Sequence, residues 1–371
     1  MASSSTASSS AQLGLGLGLG LGAMGGLGLL LPADREHDPE LEPCSPPKGV
    51  LRLRGAVQHY EWGSRGDASL VARLAGKTEE GRPCAELWMG THPAAPSSLA
   101  SDDGGAVSLR EWLARNPAAL LGRAVTARWD GDLPFLFKVL SVAKPLSIQA
   151  HPDRELARAL HALRPTTYRD ANHKPEMAVA VTEFRALCGF VSVQELKDVL
   201  RTVPEVQMLV GKEDVVKLMT AKEHDGGIGV RSYLQSAFTK LMATSKEAVA
   251  AAISKLKSRL NGEIKMFPEI LQGVLVQPYV IRYTPPFDEF EVDCYSLPQG
   301  ESVTMLPVPG PSIFLVMTGE GEIQADGMPD EGVAKEGDVL FVPACTEVKL
   351  HASGSGCLQL YRAGVNSRFF C

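Results

Sequence analysis

Between residues 192 and 261 the chain reads as successive helices, and on both sides it reads as short strands. This order constrains the fold more than any other feature, because a block of helices inside strand-patterned sequence packs as a subdomain of its own. Ser192-Val193-Gln194-Glu195 opens with the spacing of a capping box, in which the Ser and Glu side chains satisfy free N–H groups of the first turn. Lys212 to Thr220 forms a second helical stretch. Ser245 to Leu260, built on Lys246-Glu247-Ala248-Val249-Ala250-Ala251-Ala252-Ile253, has the strongest propensity and period. The plain role for such a block is scaffolding.

From Leu51 to about Phe190, short apolar runs are broken by Gly, Pro and Asp, which is a β pattern. One amphipathic helix interrupts it at Ser108 to Arg115, with Ser108 and Glu111 spaced as another capping box. After Met266, strands are expected at Val274–Ile281, Phe290–Tyr295, Ser312–Met317 and Gly337–Pro343, with a turn at Gly319-Glu320-Gly321. Short strands at that interval suggest a sandwich or barrel, and a jelly roll in particular. The Gly337–Pro343 run is of the kind that cupin jelly rolls carry late in the fold. Ala344-Cys345-Thr346 follows it without a metal ligand, so this roll reads as structural.

At 371 residues the chain is long enough for two or three domains. Its net charge of -6 gives no basic face for nucleic acid, so any phosphate must be met by a few local cations. The seven cysteines are scattered without metal-knuckle or redox spacing, a pattern that suits reduced thiols in the cytosol. Residues 1–48 are low in complexity, then rich in Pro and acid, and are expected to form a disordered leader. The Leu and Gly alternation from Leu13 to Leu31 holds too many glycines for a membrane helix. A transit peptide is the alternative for the Ser-rich opening, but the first basic residue is Arg35, and a cytoplasmic location is expected.

Two runs carry the chemistry. In Pro145-Leu146-Ser147-Ile148-Gln149-Ala150-His151-Pro152-Asp153, a strand would project Ser147, Gln149 and His151 to one side. In Asn172-His173-Lys174-Pro175-Glu176 the same alternation groups Asn172, Lys174 and Glu176. Imidazole and carboxylate are ordinary zinc ligands, and an amide oxygen is a weaker neutral one. A neighbouring cation can meet a phosphate or a developing oxyanion. Each residue alone is more simply a satisfied polar side chain; together they suit metal-assisted chemistry on a small anion.

With these residues in view, the chain resembles the type I mannose-6-phosphate isomerases, also called phosphomannose isomerases, and the plant members among them. The likeness rests on Gln58 to Ser64, Ala85 to Pro93, Leu133 to Leu140, Leu146 to Asp153, Asn172 to Glu176 with Leu187 to Phe190, and Tyr361 to Val365. It implies a mainly β fold, with a cupin-type jelly-roll core, a helical subdomain and a second C-terminal jelly roll. The corresponding domains are 49–191, 192–265 and 266–371. It implies reversible interconversion of mannose 6-phosphate and fructose 6-phosphate through a cis-enediol, feeding mannose and GDP-mannose synthesis. One zinc per chain would be held by Gln149, His151 and Glu176, with Ser147 and Lys174 on the substrate side. Glu86 and Trp62 belong to signatures near the pocket, and Trp62 serves equally well as a core aromatic. A monomer acting on a small sugar phosphate is implied, without nucleic acid or membrane. The proton-carrying base is not identified.

One part of the family pattern is missing. The resemblance implies a fourth ligand, a His in a Pro-His-Ala-Tyr context, followed by a segment with a catalytic Arg and a phosphate-contacting Lys. Here Asn261 to Lys265 runs straight into Met266-Phe267-Pro268-Glu269. Arg362-Ala363-Gly364 echoes the lost segment but belongs to the C-terminal strand. The alternative reading is therefore a catalytically impaired deletion variant, since the loss removes charge stabilisation and uncovers sheet edges. Storage and auxin-binding cupins lack the paired runs at 149 to 176.

Overall fold

The computed structural model describes residues 49–76, 81–100, 107–147, 149, 151–168, 171–184, 186, 192–221, 228–259, 270–325 and 332–371. These residues form two compact units. One unites those up to Ala186 with Ile270–Cys371, and the other holds those in between. No helix among the described residues is long and apolar enough to cross a membrane, and none of the five cysteines among them forms a disulfide.

The first unit is mainly β. Its eight-stranded antiparallel sheet runs in the order Ser98–Leu99, Leu51–Arg54, Val339–Val342, Ser312–Thr318, Leu358–Gly364, Glu291–Leu297, Val280–Tyr283 and Val274–Gln277. Period-two alternation gives this sheet two buried faces. Phe314, Val316, Leu340 and Leu360 face a four-stranded sheet, whose Val303, Ile323, Val348 and Leu350 close the sandwich. Ile313, Leu315, Met317 and Phe341 point the other way, onto a core shared with Leu87, Met89, Leu109, Leu121 and Val139. The N-terminal strand enters the same sheet through the antiparallel pairs Leu51↔Phe341 and Leu53↔Val339.

A buried ionic network crosses this sheet. Arg362, 1% exposed, donates to Asp293 at 2.8 Å and to Ser312 at 2.8 Å, while Arg282 donates to the same Asp293 at 2.7 and 2.9 Å. Glu291 lies 3.5 Å from Arg362 and accepts from the Ser367 hydroxyl at 2.8 Å. Every charge has a partner, as burial demands. Arg362 is thus a structural lock within the sheet.

The second unit is helical, with Val193–Thr202, Pro204–Val210, Lys212–Thr220, Ile228–Ala243 and Lys246–Arg259. Leu200, Val210, Leu218 and Ala237 form its core. The Ser192/Glu195 box is formed, as is the Ser108/Glu111 box in the first unit.

The structure corrects three sequence expectations. The stretch from Leu51 to about Phe190 holds more than one helix, adding Leu70–Leu74, Pro117–Leu121, Arg123–Arg128 and Arg154–Leu163. Val274 to Ile281 is a hairpin rather than one strand, because Pro278 has no N–H to donate and Tyr279 turns the backbone at φ 66°. The described residues of 145–153 and 171–180 carry no paired strand. A ladder needs a partner, Pro145, Pro152 and Pro175 cannot donate to one, and the last pairing before them is the bridge from Gly63 to Val142.

Candidate metal centre

A small antiparallel sheet leads into the site, with strands Ala56–Gln58, Glu86–Met89 and Phe137–Leu140. Leu87, Met89 and Val139 anchor one face in the core, which turns Glu86, Trp88 and Lys138 to the other. Glu86 is buried and accepts from the Trp88 indole at 2.5 Å and from Lys138 at 3.1 Å. The Lys138 ammonium also lies 4.8 Å from the Trp88 ring centre, and His92 meets that ring edge-on. Trp62, half-buried, stacks on Tyr60, and its carbonyl accepts from the N–H groups of Ala143 and Lys144. Burial, and then the Glu86 charge, push the Tyr60 phenol above its ordinary value. Trp62 therefore borders the chain just before Ser147.

Beyond Lys144 the backbone leaves the sheet. Ser147 is exposed, Gln149 is half-buried, and His151 reaches inward with only 11% of its side chain exposed. Asp153 accepts from the Leu156 N–H and so starts the helix Arg154–Leu163. On the second segment Lys174 is exposed, while Glu176, Met177 and Val179 are half-buried, the last two packing on the core.

The segments meet at one pair. His151 Nε2 lies 3.5 Å from Glu176 Oε1, and that nitrogen is buried without a hydrogen-bond partner. Two ligands of a tetrahedral zinc with bonds of about 2.0–2.2 Å sit about 3.4 Å apart. The spacing is loose for a hydrogen bond but suits two atoms sharing a metal, and an orphaned imidazole nitrogen needs such a partner. His151 and Glu176 thus stand at the spacing of two ligands of one zinc ion, and Gln149 is two residues before His151. Among the described residues no group of three or more His, Cys, Asp and Glu side chains gathers as a metal cage.

Residues three away from each member of the pair form a second cluster. Glu289 Oε1 accepts from Arg154 Nη2 at 2.6 Å and lies 2.6 Å from His173 Nε2. Burial alone would raise the Glu289 carboxyl. The His173 hydrogen bond, a backbone hydrogen bond, and the His173 and Arg154 charges outweigh it and hold the group below its ordinary range. Arg154 Nη2 also lies 3.0 Å from His173 Nε2, so the three groups form one closed cluster.

Of the residues singled out in the sequence, His151 and Glu176 come together directly. Gln149, Ser147 and Lys174 stand on the same two segments, and Glu86 and Trp62 on the adjoining sheet and turn. Sequence reasoning missed Lys138, although its place within the apolar run Phe135 to Leu140 marks it as an unusual charge. It also missed Glu289, which no local pattern announces.

The family model described as Phosphomannose isomerase type I, catalytic domain, matches residues 50–193, and that of the type I C-terminal region matches residues 282–328. Mannose-6-phosphate isomerase 1 of Arabidopsis thaliana is 40% identical over 415 residues, covering 86% of this chain and 95% of that protein. The chain belongs to the type I phosphomannose isomerase family. The human mannose-6-phosphate isomerase is 45% identical over 218 residues, 57% of this chain and 51% of that one. Mannose 6-phosphate isomerase from Salmonella typhimurium, solved bound to fructose 6-phosphate (f6p) and zinc, shares the fold with a TM-score of 0.65 at 22% identity. That likeness covers 85% of this chain and 99% of the Salmonella one. The Arabidopsis alignment is longer than the 371 residues of this family member, so it bridges positions for which this chain has no residue.

Proposed function

We propose that this chain is a zinc-dependent aldose–ketose isomerase that interconverts mannose 6-phosphate and fructose 6-phosphate through a cis-enediol. The observation that carries this reading is the 3.5 Å approach of the orphaned His151 Nε2 to Glu176 Oε1. Gln149, His151 and Glu176 would hold one zinc per chain, within the domain spanning 49–191. Zinc, when bound, supplies Lewis acidity to the carbonyl and hydroxyl oxygens of the sugar. Lys174 and Ser147, exposed on the same segments, offer an ammonium and a hydroxyl to the sugar phosphate, and Lys138 offers a second cation held by Glu86. Asp153 caps a helix and His173 contacts Glu289, and the proton carrier between C1 and C2 is left unassigned. On this reading the chain is a cytoplasmic monomer acting on a small sugar phosphate, upstream of GDP-mannose synthesis, with no nucleic-acid or membrane partner.

A second reading, a catalytically impaired family member, is favoured by the Arabidopsis alignment that outruns this chain and by the absence from the sequence of the His, Arg and Lys segment. One assay separates the two. Full-length chain with added zinc is given mannose 6-phosphate, and fructose 6-phosphate is detected by a coupled enzyme. An isomerase turns over in a zinc-dependent way, and H151A and E176Q lower the rate by about a hundredfold or more. Stoichiometric zinc binding without turnover would overturn the isomerase reading in favour of the impaired one.

A further inference from the structure

We propose that Glu289 is a positioning residue that sets the spacing of the His151/Glu176 pair by holding both ligand-bearing segments to one carboxylate oxygen. This rests on the metal reading above. Arg154 follows His151 by three residues, and His173 precedes Glu176 by three. Three residues span at most about 10 Å of chain, so fixing Arg154 and His173 confines both ligands. Among the described residues neither segment is part of a paired strand, so no ladder does this work. Glu289 makes both contacts at 2.6 Å from far along the chain.

The carboxylate is itself firmly placed. Asn366, fully buried, donates its amide to the carbonyls of Pro285, Phe287 and Phe290 at 3.0, 2.8 and 3.2 Å, which pins the turn that carries Glu289. Phe290 packs on the core and meets Phe287 edge-on at 4.9 Å. Glu289 Oε2, by contrast, is buried without a hydrogen-bond partner. A buried unsatisfied carboxylate oxygen lowers stability, so the arrangement calls for a reason other than stability. Geometry at the ligand pair supplies one, in the way outer partners of metal ligands fix ligand orientation.

The test uses full-length chain, Co2+ as the probe, and chelator competition with the visible cobalt spectrum as the readout. E289M, which removes the acceptor, and H173L, which removes one tether, are expected to weaken Co2+ binding by about tenfold or more and to alter the spectrum. H173Q, whose amide can still donate to Glu289, is expected to restore binding to within about threefold of the parent. The E289M/H173L double variant should lose little more than either alone, since both break one clamp. If E289M does not fold, the H173L and H173Q pair carries the same expectation at a partly exposed position. Binding within about twofold of the parent for E289M and H173L, or H173Q as weak as H173L, overturns the positioning role. A parent chain that takes up no Co2+, or H151A and E176Q chains that bind it normally, would instead overturn the metal reading itself.

Discussion

Replacing Arg362 with Met tests whether the buried ionic network holds the large sheet together. Arg362 is 1% exposed, Asp293 is fully buried and Glu291 is 1% exposed, so the substitution leaves one uncompensated negative charge out of reach of water. Removing one partner of a buried pair costs about 3–5 kcal/mol. Arg282 still grips Asp293 at 2.7 and 2.9 Å, which places the expected loss at the low end, near 3 kcal/mol. With a urea dependence of about 2–3 kcal/mol per molar, the midpoint falls by about 1 M. Tryptophan fluorescence reports this unit alone, because Trp62, Trp88, Trp112 and Trp129 are the four tryptophans of the chain and all lie in it. R282M should cost less, since a quarter of the Arg282 side chain is exposed and water can replace part of what is lost. The double variant R362M/D293N should recover part of the R362M loss by removing the stranded charge. A midpoint shift under about 0.3 M for R362M, or a larger loss for R282M than for R362M, would refute the reasoning.

Two further outcomes follow from described geometry. The Glu289 carboxyl is depressed in the folded chain, so its stabilising contribution is fully present above the ordinary glutamate value of about 4.3 and fades as pH falls through the folded value. The urea midpoints of parent and E289M should therefore converge as pH falls below about 4; a gap that persists there would count against an ionised Glu289. Gly319 has φ +86° at the turn into Glu320–Ala325, and a Cβ there would drive into the Cys357 carbonyl, which is backbone and cannot yield. G319A should cost about 2 kcal/mol or more, read as a lowered thermal midpoint of the β unit.

Local signals were legible wherever the physics is local. Both capping boxes and the helix Lys212–Thr220 follow from side chains within four residues of one another. The strands Ser312–Thr318 and Val339–Val342 show as apolar runs because both of their faces are buried. The helix Arg154–Leu163 escaped because Asp153 reads as the end of a strand-like run, whereas its better use is as an N-cap. Pro117–Leu121 and Arg123–Arg128 are too short to establish a helical period. The strand expectation at 145–153 failed for a non-local reason: alternation belongs to one segment, but pairing belongs to two. The His151/Glu176 meeting was readable from the motif pair, whereas Glu289 is delivered by the packing of Phe290 and the Asn366 bonds, which depend on the closed sheet.

The pairing of Leu51 with Phe341 has a consequence in time. About 290 residues separate these partners, and at roughly 5–20 residues per second a ribosome needs roughly 15 to 60 s to deliver the second after the first. The helices between Val193 and Arg259 close on local contacts and can form during that interval. Leu51–Arg54 meanwhile has Ser98–Leu99 for one edge but not Val339–Val342 for the other. For this stretch of synthesis the nascent chain carries an unpaired strand edge, the kind of surface on which chaperones act, until Val342 emerges.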